Sequence, residues 1–103
     1  MKNINNYIKE SLENSIKTII KDGIEKQYNE DLLKDDPSIV ISKYSKIKTG
    51  LESNEKENIV WLKNIFKKSC IKNNIIYSEK LWDDNKNMLV LTAQYYIEKY
   101  CEQ

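Results

Sequence analysis

Residues 75–92 run IIYSEKLWDDNKNMLVLT, and the fold turns on how this stretch is taken. Two apolar-aromatic runs flank a polar knot, Asp83-Asp84-Asn85-Lys86-Asn87. Tyr77, Leu81 and Trp82 lead into the knot; Met88, Leu89, Val90 and Leu91 lead out. Strand-type residues around an Asp/Asn cluster predict a β-hairpin with its loop at 83–87. The competing assignment runs one helix through 78–100 and makes the chain an all-α bundle, because Leu81, Asn85, Met88 or Leu89, Thr92 and Tyr96 also keep a helical spacing. Residues 83–87 are poor helix formers as a group, which favours the hairpin.

Upstream of the hairpin, Ile59, Leu62, Phe66 and Cys70 fall on one face of a helix over 55–72. Asn54, with Glu57 three residues on, forms a capping-box pattern at its start. Leu51-Glu52-Ser53 makes the turn before it, and Gly50 ends a shorter helix over 43–49 that points Tyr44 and Ile47 inward. The β-branched run Ile39-Val40-Ile41 suits a short strand over 38–42. Asp35-Asp36-Pro37 stops whatever precedes it, since the residue before proline avoids the α region. The first segment is helical: Ile4, Ile8, Leu12, Ile16, Ile19 and Ile20 recur every three or four residues, with Asn3 as N-cap. Gly23 either ends this helix or is absorbed by it, and Ile24, Tyr28 and Leu32 carry the spacing to about Lys34. After the hairpin, residues 93–101 form a last short helix with Tyr96, Ile97 and Tyr100 as its apolar face.

Charge is distributed unevenly. The chain has 103 residues and a formal net charge of only +1. Residues 38–86 nevertheless carry ten Lys against six acids, while residues 1–37 carry six Lys against eight. Positive charge concentrated on the segment from 38 to 86 is the footprint of a phosphate-facing surface. All seventeen basic residues are Lys; there is no Arg and no His. Bidentate guanidinium contacts to guanine are therefore excluded, and any base reading falls to Lys, Asn, Ser, Thr or Gln.

The ordered elements of 39–92, SIVISKYSKIKTGLESNEKENIVWLKNIFKKSCIKNNIIYSEKLWDDNKNMLVLT with its preceding serine, resemble the winged helix-turn-helix family. The resemblance covers the last two-thirds of the chain and lies in the order of elements and core spacings. It implies an α+β fold: one domain over 1–103, with an N-terminal helical extension, a short strand, a helix-turn-helix, a two-stranded wing and a short C-terminal helix. It also implies a partner, double-stranded DNA. On that frame Lys43, Lys46, Lys48 and Lys56 are expected at phosphates. Asn54, Asn58, Asn64 and Lys68 are expected at base edges. Lys80, Asn85, Lys86 and Asn87 would place the wing in a minor groove. In size and in Lys, Asn and Ile richness the chain is similar to the small winged-helix accessory proteins of clostridial conjugative-plasmid relaxosomes (TcpK type). That similarity implies action at an origin of transfer beside a relaxase or other DNA-processing protein; a plasmid or phage transcriptional regulator would present the same features. A homodimer is expected through the flanking helices, with Ile4, Ile8, Leu12, Ile16, Tyr96, Ile97 and Tyr100 at the seam.

Other classes are poorly served. With no His, no nucleophile elbow, no phosphate-binding loop and only two glycines, the chain is not expected to be an enzyme. Cys70 and Cys101 lie far apart without a CxxC, so no zinc, other metal or cofactor is expected, and both cysteines are expected as reduced thiols. The N-terminus lacks an unbroken apolar core and no stretch approaches a membrane span, so a cytoplasmic location without membrane contact is expected. The serious alternative function is an all-helical protein-binding protein of the immunity or inhibitor type.

Overall fold

The computed structural model of the chain describes residues 4–101, with side chains from Leu12 onward. The described residues form four helices and no strand: α1 (Ile4–Lys34), α2 (Pro37–Glu52), α3 (Lys56–Lys72) and α4 (Glu79–Cys101). This overturns the α+β winged helix-turn-helix; the fold is all-α, and the predicted strand, wing and separate C-terminal helix do not exist as such.

The stretch that suggested a hairpin is the first half of α4. Ser78 caps it: the Leu81 amide donates to Ser78 Oγ at 3.0 Å, satisfying a donor that the first turn leaves free. Trp82, Leu89, Ala93 and Ile97 then form one buried face. Burying a large apolar side chain is worth about 1.5–3 kcal/mol, whereas each Asp or Asn inside a helix loses at most about 0.7 kcal/mol relative to Ala. Three large buried side chains therefore outweigh the four poor helix formers of the knot. Those residues are also locally accommodated. Lys80 pairs with Asp84 at 2.7 Å, and the Asn85 amide donates back to the Leu81 carbonyl at 2.8 Å.

The same override removes the strand at 38–42. Asp36 is the extended N-cap residue of α2 and Pro37 occupies the first turn, where a fixed φ and a missing N–H are advantageous. The β-branched run enters the helix behind it, and Val40 is buried in the core. The stop at 35–37 expected from sequence is found, since α1 ends at Lys34 and α2 opens at Pro37.

Both glycines lie inside helices, against the reading of Gly50 as a breaker. A Cβ on Gly50 would collide with the Asn58 carboxamide of α3; one on Gly23 would collide with Ser69 Oγ and come within 2.9 Å of Ile65 Cγ2. They are close-approach points of α3 with α2 and with α1. What ends α2 is Asn54, in the left-handed region at φ 55°. Its amide bonds to Leu51 O at 3.1 Å, and the Glu55 amide to Gly50 O at 2.8 Å, a Schellman closure. Asn54 is thus the residue just past α2 and not the cap of α3; Glu55 takes the N-cap position, without a side-chain bond. Asn74 repeats the device after α3, at φ 58°, with Ile75 N to Cys70 O at 2.9 Å.

The core is contiguous. Ile16, Ile20 and Ile24 of α1 meet Val40, Tyr44 and Leu51 of α2, Leu62, Phe66 and Cys70 of α3, and Leu89, Ala93 and Ile97 of α4. The predicted core face of α3 is found, with Ile59 at its margin. Trp82 packs on Phe66, ring centroids 6.2 Å apart, and so lies inside the domain. Ile16 and Ile97 are consumed by this core, which removes them from the proposed dimer seam; Asn3, and the side chains of Ile4 and Ile8, lie outside the described residues. α1 packs on α3 and α4, α2 lies chiefly on α4, and α2 meets α3 over only a short length.

Candidate functional site

The short α2–α3 contact leaves a groove. It is held near one end by Gly50 against Asn58 and in the middle by the Tyr44 ring meeting Trp61 edge-on at 5.9 Å. About 990 Å³ of open space lies along it. From α2, Ser38, Ser42, Ser45 and Thr49 line the wall at steps of four, three and four residues, one side of a helix. Ile39, 55% exposed, adds an apolar edge. Trp61, half-buried, forms the floor from α3, with Lys46 on one rim and Glu55 and Glu57 on the other. The hydroxyl stripe was legible as a helical period in the sequence. Reading 38–42 as a strand hid it.

The eleven residues assigned to DNA do not come together. Lys43 is bound to Asp31 at 3.1 Å. Lys48 sits 3.5 Å from Glu52 and 4.0 Å from Glu98, and Lys80 is paired with Asp84. Asn85 spends its amide on its own helix, and Asn54 is the left-handed residue behind α2. Lys46 lines the α2–α3 groove while Lys68 lines a different one, between α1 and α3. Lys56 and Asn64 are exposed on α3; Lys86, half-buried, and Asn87, exposed, are on α4. Without a wing, nothing gathers Lys80, Asn85, Lys86 and Asn87 into one contact. Asn58, a further candidate for base edges, is turned onto Gly50 instead.

The arrangement closest to a reactive centre is the Asp31 cluster behind the groove. Tyr44 Oη donates to Asp31 Oδ2 at 2.7 Å, Lys43 to the same oxygen at 3.1 Å and Gln27 to Oδ1 at 3.3 Å. Burial alone pushes the Asp31 carboxyl up, but the hydrogen bonds from Tyr44 and Lys43, with the Lys43 charge and Gln27, outweigh it and hold the group below its ordinary value. Burial and the Asp31 carboxylate drive the Tyr44 hydroxyl far up. Tyr44 is completely buried, and its bond to Asp31 ties α2 to α1. Tyr28 stacks on Tyr100 and meets Tyr44 edge-on, each with centroids 5.1 Å apart, and burial pushes the Tyr100 hydroxyl up to about 12.

The cysteines are free, Cys70 buried and Cys101 half-buried. Burial pushes both thiols up, with Lys48 pulling Cys101 the other way, which leaves little reactive thiolate at neutral pH. Among the described residues no helix is long and apolar enough to cross a membrane. Comparison with protein-family models, with characterised proteins and with solved structures finds no match for the chain.

Proposed function

We propose that the protein is an all-helical binding protein that recognises another protein by taking one of its helices into the α2–α3 groove. The observation that carries this is the unfilled seam itself: α2 offers α3 a wall of small hydroxyl side chains with an exposed Ile39, above a half-buried Trp61. Small side chains let a partner's backbone approach closely, and grooves with an apolar floor accept amphipathic helices. A tryptophan in such a floor is a frequent anchor of binding energy. Lys46 opposite Glu55 and Glu57 gives the two rims opposite charge, which would orient the helix.

The test is a photocrosslinking amino acid at Ser42 and, as control, at the exposed Asn87 of α4, in cells that make the protein. A species captured only from position 42, whose purified form binds the wild type and loses about tenfold or more of its affinity to Ile39→Glu or Ser42→Arg, supports the reading. Equal capture from both positions, or indifference to both substitutions, overturns it.

Duplex DNA on α3 is a second reading with one observation in its favour: the helix carries five Lys against a single acid, Glu57. It predicts retention on DNA that falls steeply with salt and weakens on Lys56→Ala, an exposed α3 lysine outside the α1–α3 groove. No retention at low salt removes it.

A further inference from the structure

We infer that the seam between α1 and α3 is a self-complementary surface on which a second copy of this chain docks about a two-fold axis. The groove there holds about 530 Å³. Its α1 wall carries Asp22 and Glu30, with Lys26 between them; its α3 wall carries Lys68 and Lys72. Gly23 and Ser69 form the floor. None of the ion pairs among the described residues joins these walls, so the carboxylates of Asp22 and Glu30 stand across the cleft from Lys68 and Lys72 without bridging it, and Lys26 leaves the α1 wall only partly acidic. Ile71 stands beside Lys72, 74% exposed.

The mixed charge selects the occupant. A polyanion would meet Asp22 and Glu30; a basic surface would meet Lys68 and Lys72. A surface that is acidic where this one is basic, and basic where it is acidic, matches it, and rotation by half a turn makes the seam its own match. In an isologous contact, residue i of one copy meets residue j of the other and the reverse. Asp22 and Glu30 of each copy would then face Lys68 and Lys72 of the other, with the two Ile71 side chains covered near the axis. Because both walls belong to one groove, the contact closes on two chains. It leaves the α2–α3 groove open on each, and it uses a different face from the one expected of the flanking helices.

Charge exchange tests this. Sedimentation from low to high micromolar should show a reversible dimer that dissociates in about 1 M NaCl, where screening acts within ~3 Å. The variant Lys68→Glu with Lys72→Glu makes both walls acidic, and Asp22→Lys with Glu30→Lys makes both basic. Each alone should associate at least about tenfold more weakly than the wild type, and an equimolar mixture should restore a species of two chains, one of each kind. A wild type that stays monomeric at high micromolar concentration overturns the proposal. So do variants that still self-associate, a mixture that stays monomeric, or growth beyond two chains. Circular dichroism of each variant reports folding, and the wild-type salt titration decides the matter even where a variant fails to fold.

Discussion

α3 meets α1 and α2 through the same device and with different results. At each seam a helical glycine admits a side chain of α3: Gly23 admits Ser69 and Ile65, and Gly50 admits Asn58. At the α1 seam the contact continues along the helices through buried Ile19, Ile65 and Ser69. At the α2 seam it is brief, and hydroxyl side chains take the place of apolar ones along the rest. A glycine sets how closely two helices can approach at one point. Whether the seam then closes depends on what stands one and two turns away. α2 is consequently held in the fold by α1, through Asp31, and by α4, and its third side stays available.

The comparison breaks most sharply at Asp31. Asp31→Ala strips a buried acceptor from Tyr44 and Lys43 and should cost about 2–3 kcal/mol, since hydrogen bonds to charged groups are the strong ones, read by urea unfolding at neutral pH. Asp31 has its folded-state value depressed below 3.8. Its contribution is therefore complete above the unfolded value and lost as pH falls through the folded one. The gap between wild type and variant should narrow on acidification below about pH 4; a gap independent of pH would mean that α2 is not held by this carboxylate.

A smaller effect separates the two glycines. Gly23→Val must push against Ser69 and the stiff Ile65, and should cost about 1–3 kcal/mol. Gly50→Val meets the far end of the Asn58 side chain, which can swing into the open groove, and the better helix propensity of valine over glycine offsets part of the strain. It should cost at least about 1 kcal/mol less than Gly23→Val in the same denaturation series. Equal costs would show that the α2 seam is as closed as the α1 seam.

The smallest effect is at Lys48, which joins α2 to Glu52 on its own helix and Glu98 on α4. Such partly exposed pairs contribute about 0–1 kcal/mol, so Lys48→Ala should shift stability by under about 0.5 kcal/mol. A larger loss would place the hold on α2 in surface ion pairs instead of the Asp31 tie and the core.

Several parts of this molecule were written in the residue order alone. The Ile spacing of α1, the α3 face of Leu62, Phe66 and Cys70, the stop at Asp36-Pro37 and the lack of a membrane-length apolar helix among the described residues follow from period and local stereochemistry, which act within a few residues. What tertiary structure decided were the places where local preference and burial disagree. Ile39-Val40-Ile41 favours a strand and Asp83 to Asn87 disfavours a helix, yet both are helical, and that conformation buries Val40, Trp82, Leu89 and Ile97. Asn54 suits a helix cap and a left-handed turn equally; the closure of α2 takes it. Gly50 reads as a breaker until Asn58 is placed against it. The candidate groove depended on these outcomes together, since a row of hydroxyls becomes a wall only once 38–49 is one helix and α3 has turned away from it. Periodicity is a property of one segment, whereas an open seam is a property of two, and only the packed chain shows which pairs of faces meet.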